Sequence, residues 1–299
     1  MATPGKQNMT PERAFDLRDW IVSTAIIAFI KVLGLLPYRW RGLVWGWVLS
    51  RVAGPLIGYR TRIKDNLDLI FPEMPAKEKE RLARAVPFHI GRTLSELFSP
   101  EELVATAART PMSGEGVAAL EEAHRTGRPV IVVSGHFGNY DVVRSALIQR
   151  GHAVGGLYRE MNYRGFNDYY VSRISKVGTP LFPRGRRGMA NMIKFLKAGN
   201  VLALLIDQHM GAGAPLKFFG HKASTALSAA DMALRYDALL IPAYAIRLPD
   251  GINFDVIAEA PIPHTTPEEM TQRLNDSLEA RVRENMEQWL WIHRRWKEK

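Results

Sequence analysis

The segment SGHFGNYD, at residues 134–141, carries the residue types that could do acid–base chemistry. His136 follows the apolar run PVIVV, which is typical of a buried strand, and Asp141 lies five positions later, where a helical pattern begins. A turn of this length can bring the carboxylate back to the imidazole, so that one ring nitrogen is held protonated and the other is free as a base. Such a pair could deprotonate an alcohol as it attacks a thioester. Gly135 and Gly138 would allow close backbone approach, and amides at the helix start could stabilise an oxyanion.

The same segment leaves two other kinds of site open. His136 and Asp141 could be metal ligands, but a metal site needs further ligands, and His152 and His209 are not clearly spaced to supply them. Ser134 could be a nucleophile, but the G-x-S-x-G turn of serine hydrolases is missing. The chain has no cysteine, which excludes disulfides, thiolate metal sites and a cysteine nucleophile. We expect neither a metal nor another cofactor.

Alternating apolar runs and helical patterns from about residue 112 onward predict an α/β fold. The expected strands are 129–136, 153–159, 179–183, 201–207, 239–248 and 252–262, and the expected helices are 139–151, 163–176, 188–200, 227–238 and 267–292. Chemistry in open α/β sheets collects at strand ends, so the polar residues that end 129–136 and 201–207 are candidates. Asp207 is one of them, although it could simply cap a turn.

The N-terminal part of the chain favours a membrane surface. Residues 20–36 are mostly apolar, with Lys31 as their one charged residue, and would reach roughly 25 Å as a helix, slightly short of a bilayer core of about 30 Å. A second apolar stretch, 43–58, is interrupted by Arg51, Gly54 and Pro55 and is expected to be interfacial. We therefore divide the chain into a polar leader (1–19), membrane-associated helices (20–58) and a catalytic domain (59–299). A buried core helix at 20–36 is the alternative, and a cleaved signal peptide is not expected.

The charge of the chain agrees with an anionic partner. The formal net charge is +10, and seven tryptophans accompany the many Lys and Arg residues, which favours a lipid headgroup region over nucleic acid. If the N-terminal segment spans, the six Arg and Lys residues between 39 and 64 would place the remaining chain in the cytoplasm.

Several segments of the chain resemble the bacterial late acyltransferases of lipid A biosynthesis, the lauroyl/myristoyl type, over residues 20 to 296. The resemblance is carried by DNLDLIFPEMPAKEKERLA (65–83), LYREMN (157–162), LLIDQ (204–208), KFFGHKAST (217–225), LLIP (239–242) and EQWLWIHRRWK (287–297), besides the His-x4-Asp motif. It implies a glycerolipid-acyltransferase-like fold, with a central mixed β-sheet flanked by helices and an N-terminal membrane-anchoring helix. It also implies a bacterial inner-membrane enzyme that faces the cytoplasm.

By position, the resemblance implies that His136 is the general base and Asp141 its orienting acid. Many members of the family have Glu where this chain has Asp141. Substrate-binding roles fall on Arg159, Asn162, Arg173 and Asp207. The glycine-flanked arginines Arg184, Arg186 and Arg187 could bind phosphates, or could be a solvated charge run. The implied donor is an acyl chain on acyl carrier protein, and the implied acceptor is a hydroxyl of a lipid A precursor.

Other functions remain open at this stage. The same chemistry could act on a lysophospholipid, a glycerol phosphate or another glycolipid, with acyl-CoA or acyl carrier protein as donor. A non-catalytic basic protein of the membrane surface would bind lipid without turnover. A nucleic-acid binder is not expected, because the chain has an apolar N-terminal segment and no known binding motif.

Overall fold

The computed structural model describes residues 16–297, so most of the expected polar leader lies outside the described residues. The helices are α1 Leu17–Gly34, α2 Tyr38–Val48, α3 Gly54–Leu56, α4 Tyr59–Ile70, α5 Ala76–Leu97, α6 Pro100–Arg109, α7 Gly116–Thr126, α8 Tyr140–Gln149, α9 Arg164–Val177, α10 Arg186–Lys197, α11 Ser228–Tyr236 and α12 Pro267–Glu284. The strands are β1 Met112–Ser113, β2 Val130–Ser134, β3 Val154–Tyr158, β4 Leu181–Pro183, β5 Val201–Leu205, β6 Ala214–Phe218, β7 His221–Thr225, β8 Leu239–Arg247 and β9 Phe254–Ala258. A π-helical turn, Leu49–Ala53, joins α2 to α3.

Seven strands form one mixed sheet in the order β1-β9-β8-β2-β5-β3-β4. All neighbours are parallel except β8 and β9, which are antiparallel. β2, with every residue buried, lies in the middle of the sheet, as its continuous apolar run predicts. The expected α/β fold with a mixed sheet flanked by helices is confirmed.

Alternation along the strands divides the core between the two faces of the sheet. Val132 on β2 packs with α8 on one face, whereas Val133 packs with α10 and α11 on the other. A third cluster lies under the C-terminal segment and α5. The sheet thus has helices on both sides, and its carboxyl edge is the place where the two faces meet.

The N-terminal helices pack on the catalytic part of the chain. Asp19 and Ser23 of α1 accept hydrogen bonds from backbone N–H groups in the first turn of α9. α2 crosses α5 at Gly46 and Gly91, where a Cβ on Gly91 would lie 2.5 Å from the Trp45 carbonyl oxygen. No helix among residues 16–297 is both long enough and apolar enough to cross a bilayer.

The end of the chain differs from its prediction. The last helix was expected to continue to residue 292, but α12 ends at Glu284 and a short 3-10 turn follows at Met286–Gln288. Trp289 and Trp291 then enter the core, where they are almost fully buried against Phe218 and Phe219. The 3-10 turn directs this segment against the carboxyl edge of the sheet, where Trp289 forms a β-bridge with Phe137.

Candidate active site

The register of two neighbouring parallel strands brings His136 and Asp207 together. Ser134 at the end of β2 is paired with Leu205 at the end of β5, so the residues two positions later meet just beyond the sheet. His136 Nδ1 lies 2.8 Å from Asp207 Oδ1. The two residues are 71 positions apart in the chain, and only the sheet makes them neighbours.

Asp207 is held as an ionised, fully engaged acceptor. Its side chain is 1% exposed. Its Oδ2 accepts the backbone N–H of His136 at 2.7 Å and the indole Nε1–H of Trp289 at 3.0 Å. With Oδ1 turned to the ring, the carboxylate holds Nδ1 protonated and leaves Nε2 as the basic nitrogen.

The electrostatics of the pair follow from this burial. Burial opposes the protonated imidazole, but the adjacent Asp207 carboxylate outweighs it and raises the pKa of His136 above its ordinary value. Burial likewise opposes ionisation of Asp207, yet His136 and the Trp289 indole hold the pKa of that carboxyl below its ordinary value. His136 keeps a quarter of its side chain exposed, on the side of a cavity that it lines.

Asp141 has a different partner from the expected one. Its Oδ1 accepts from Arg144 Nε at 3.1 Å, and the Arg144 guanidinium also donates to the carbonyl oxygens of Ile174 and Gly178. Asp141 still lines the cavity and contributes a smaller electrostatic effect that favours protonation of His136. The expected hydrogen bond between Asp141 and His136 is replaced by the one from Asp207, because the Asp141 carboxylate turns along α8 to Arg144.

Three backbone N–H groups of the turn already have acceptors. The N–H groups of His136, Gly138 and Asp141 donate to Asp207, to the Gln288 carbonyl and to the Asn139 side chain, respectively. They are therefore not free to stabilise an oxyanion. The two glycines serve packing: a Cβ on Gly138 would lie 1.8 Å from the Ala245 carbonyl oxygen, and one on Gly135 would lie 2.7 Å from Leu278.

A cavity of about 430 Å³ opens at the carboxyl edge of the sheet beside His136. It reaches both faces of the sheet, because its lining includes Ala203 and Leu205 on the α8 side and Leu204 and Ile206 on the α11 side. Its volume falls in the range typical of small-molecule sites.

On the α8 side, the cavity floor is a row of side chains in register across four strands. We call this row the trough: Val132, Ala203, Gly156 and Leu181 pair in sequence from β2 through β5 and β3 to β4, and all four line the cavity. Three inter-strand spacings make it about 14 Å long from β2 to β4. The small side chains in its centre leave the space, and Val143, Arg144 and Ile174 cover it. The trough is apolar and narrow, which suits a hydrocarbon chain.

The predicted substrate-binding arginines fall into two groups. Arg159 and Arg184 are exposed and line the cavity, and within residues 16–297 neither forms an ion pair. Arg159 donates to Asn162 Oδ1 at 3.3 Å. Asn162 and Arg173 are not among the cavity-lining residues, and Arg173 instead donates to the Phe98 carbonyl oxygen and to Glu101.

Arg186 and Arg187 begin α10, directly after Gly185 at the cavity rim, and are exposed. The N-terminus of a helix carries partial positive charge, so two arginines placed there are electrostatically unfavourable. An anion bound at this end would relieve that repulsion. No group of three or more His, Asp or Glu side chains suited to a metal ion occurs in the described part of the chain.

Sequence reasoning missed three contributors to the site: Arg144, Gly156 and Trp289. The first two carry no local signal, since an Arg in a helix and a Gly in a strand are common. Trp289 belongs to the terminal segment that carries part of the family resemblance. Its contact with Asp207, however, forms only because this segment packs at the carboxyl edge of the sheet.

The known proteins that this chain is similar to are acyltransferases of lipid A biosynthesis. Residues 11–298 match the family model described as bacterial lipid A biosynthesis acyltransferase. The chain is 25% identical to the lipid A biosynthesis palmitoleoyltransferase of Escherichia coli (strain K12) over 86% of its length and 89% of the relative. It is 25% identical to the lauroyltransferase of the same organism, covering 78% and 77% of the two chains. A lipid A biosynthesis acyltransferase of Haemophilus influenzae is 23% identical over 93% of this chain and 90% of the relative. The chain therefore belongs to the bacterial lipid A biosynthesis acyltransferase family and is an acyltransferase of that pathway.

Proposed function

We propose that this acyltransferase moves a fatty acyl chain from acyl carrier protein to a hydroxyl of a lipid A precursor. The observation that carries the proposal is the position of the His136 ring, fixed by Asp207, at the mouth of an apolar trough that arginines border. A base, a hydrocarbon site and cations for phosphate are the three things that this reaction needs in one place.

In the proposed reaction, His136 Nε2 takes the proton of the acceptor hydroxyl as its oxygen attacks the thioester carbonyl carbon. The C–S bond breaks, the new ester forms, and the imidazolium returns its proton to the departing thiolate. Asp207 stabilises the imidazolium and keeps the ring oriented. Asp141 and Arg144 form a buried ion pair that supports the wall of the cavity.

We assign the donor chain to the trough. Its row of Val132, Ala203, Gly156 and Leu181 is apolar along its length and lies directly below Ser134, two residues before His136. The part of the cavity near Met189 and Ala229 is left for the acceptor. Burial of an extended hydrocarbon in the trough would contribute roughly 25 cal/mol of binding free energy for each Å² of apolar surface removed from water.

We assign the anionic groups of donor and acceptor to the arginines at the cavity mouth. Arg159 and Arg184 line it, and Arg186 and Arg187 stand at the start of α10. Arginine binds phosphate through paired N–H groups, which suits the phosphates of a lipid A precursor or of phosphopantetheine. Asn162 would orient Arg159, whereas Arg173 would act indirectly, by fixing α9 against the end of α5.

The N-terminal helices support association with the inner membrane, with the catalytic domain facing the cytoplasm. Among residues 16–297, the exposed large apolar side chains all lie between 17 and 69, with Leu35 84%, Leu56 82% and Trp40 58% exposed. So large an exposed apolar surface, which includes tryptophans and adjoins arginines, is characteristic of proteins that lie on a lipid surface. We retain the division at residues 19 and 58 as part of this proposal.

The test is mass spectrometry of the lipid products. Purified protein in membranes would receive a tetra-acylated lipid A precursor and acyl carrier protein loaded with lauroyl, myristoyl, palmitoleoyl or palmitoyl chains, with His136→Ala beside the wild type. We expect a product heavier by one acyl group, and a loss of about 10²-fold or more in the variant.

Two results would contradict parts of this proposal separately. Equal transfer by His136→Ala would remove His136 as the base. Transfer only to a lysophospholipid or another glycolipid, or only from acyl-CoA, would keep the chemistry and change the substrate.

A further inference from the structure

A second cleft, distinct from the cavity at His136, lies between α2 and α5. This α2–α5 cleft has a volume of about 560 Å³ and is lined on one side by Trp47, Ser50 and Arg51 and on the other by residues of α5 between Lys77 and His89. None of these residues lines the cavity at His136.

The backbone explains why the cleft exists. At their crossing the two helices touch through Gly46 and Gly91, where there is no room even for a Cβ. Beyond the crossing, α2 continues into the π-helical turn Leu49–Ala53, while the N-terminal half of α5 runs alongside it. The Ser50 hydroxyl ties that turn to α5 by donating to the Arg84 carbonyl oxygen at 2.8 Å. π-Helical turns are uncommon and often occur at functional sites.

The rim of the cleft carries unbalanced positive charge. Arg84 is paired with Glu80 at 2.8 Å, and Arg81 is paired with Glu78 at 2.8 Å. Arg51 and Lys77 form no ion pair with any residue in 16–297. Glu80, the only acidic residue that lines the cleft in the described part of the chain, is also paired with Lys64 at 2.6 Å. The cleft is therefore suited to an anion.

The remaining lining shows what kind of anion fits. Trp47, Ala85 and Phe88 make the cleft largely apolar, and Trp47 is 57% exposed. The buried Nδ1 of His89 has no hydrogen-bond partner among the described residues, and burial lowers the pKa of this imidazole to about 3, so the ring adds no charge of its own to the cleft. Val52, on the same π-helical turn as Arg51, is 44% exposed and belongs to the apolar surface of the N-terminal helices.

We propose that the α2–α5 cleft binds the headgroup of an anionic phospholipid, with Arg51 and Lys77 on its phosphate and the apolar lining against its glycerol and first methylenes. This inference rests on the membrane association proposed above, but not on the transfer chemistry. A soluble anion would not need an apolar lining that continues into an exposed apolar surface, whereas a membrane lipid meets both features at once.

The test compares binding of the purified protein to phosphatidylcholine vesicles and to vesicles that also contain phosphatidylglycerol, measured by flotation without acyl donor. The wild type should prefer the anionic vesicles. The double variant Arg51→Gln/Lys77→Gln should lose about 25-fold of that preference, since one basic side chain at an anionic surface contributes about fivefold. Lys197→Gln removes an exposed charge at the C-terminal end of α10 that forms no ion pair with residues 16–297; it is the matched control and should change the preference less than twofold.

A second variant separates a binding site from diffuse attraction. Ala85→Trp fills the cleft and leaves every charge in place, so it should reduce the preference about as much as the double variant does, while far-UV circular dichroism and the unfolding temperature stay near the wild-type values. If the Ala85→Trp protein folds and still prefers anionic vesicles as strongly as the wild type does, the proposal is overturned. It is also overturned if the wild type binds the two kinds of vesicle equally. His136→Ala should keep the preference, so that failure of the transfer mechanism and failure of this site are observed independently.

Discussion

At the scale of single residues, the basicity of His136 depends on a carboxylate that is buried and accepts three hydrogen bonds. Asp207 binds the ring through Oδ1, while its Oδ2 is occupied by two donors, the His136 backbone and the Trp289 indole. An amide in its place would turn its oxygen toward those two donors and its NH2 group toward the ring. His136 Nδ1 would then have to accept, which leaves the proton on Nε2 and removes the base.

Asp207→Asn should therefore lower kcat by about 10²-fold or more and change the pH profile. The proposed base is the neutral imidazole, so we expect activity to be lost as the pH falls through the raised pKa of His136. Without the Asp207 charge that pKa falls, and the acid limb moves to lower pH. The measurement is kcat/KM against pH for wild type, Asp207→Asn and Asp141→Asn. Asp141 has the smaller effect on His136, so a larger limb shift for Asp141→Asn would reverse the assignment.

Gly156 gives a residue-scale prediction about chain length. A Cβ added there would lie 3.5 Å from Leu181 Cδ2 and 3.6 Å from Arg144 Cδ, which is ordinary contact, so Gly156→Ala should fold normally and Gly156→Val should shorten the trough. We expect Gly156→Val to shift kcat/KM toward shorter acyl donors by about tenfold or more, the effect of one or two methylenes in an apolar pocket.

The neighbouring glycine supplies the control. A Cβ on Gly155 would point to the other face of the sheet and lie 2.6 Å from Phe182, so Gly155→Ala should reduce stability and leave the chain-length preference unchanged. An unchanged preference in Gly156→Val would place the donor chain elsewhere in the cavity.

At the scale of elements, the turn between β2 and α8 is fixed by a buried polar network from α5 and β8. Glu96 on α5 forms a bidentate ion pair with Arg247 on β8 and accepts from the side chain of Asn139, which in turn caps α8. The Thr93 hydroxyl donates to the carbonyl oxygen of Gly138. The loop that carries His136 is thus held from both neighbouring elements.

Glu96→Gln would leave the Arg247 guanidinium buried and uncompensated, since the side chain of Arg247 is 1% exposed. The expected loss is about 3–5 kcal/mol in the free energy of unfolding, measured by urea denaturation. The double variant Glu96→Gln/Arg247→Met should recover part of that loss, because the uncompensated charge is gone while the amide oxygen still accepts from Asn139. Strictly additive losses would show that the two side chains are not coupled.

At the scale of the whole molecule, charge and apolar surface are distributed unequally. The basic cavity mouth lies at the carboxyl edge of the sheet, and the exposed apolar side chains gather on the N-terminal helices. The first turn of α9 is tied to α1 by Asp19 and Ser23, so the N-terminal helices and the cavity wall are mechanically connected. A lipid-bound surface would therefore sit at a fixed position relative to the active site.

Substitution of Trp20, Leu35 and Trp40 by Ser should release the protein from membranes. Each large apolar side chain contributes roughly 1.5–3 kcal/mol when it is buried, and all three are more than half exposed in the protein alone. The unfolding temperature should change little, because these side chains contribute little to the core. Membrane flotation is the measurement, with Glu121, Glu122 and Arg125 of α7 changed to Ser as the control, and unchanged flotation would contradict a membrane role for this surface.

The sequence by itself determined the α/β class, most strands and helices of the catalytic part, and the two strand ends where His136 and Asp207 stand. Those features follow from local periodicity and from short apolar runs that end in polar residues. The family resemblance extended this to the reaction, since its motifs lie along most of the chain.

Only the tertiary structure decided which carboxylate forms the hydrogen bond with the His136 ring. The pairing of His136 with Asp207 comes from the adjacency of β2 and β5, which are far apart in sequence, whereas Asp141 was nearer in the chain but turned to Arg144. The trough and the burial of Trp289 likewise depend on which strands and segments become neighbours. Sequence patterns record what each residue prefers locally, and long-range packing chooses its partner.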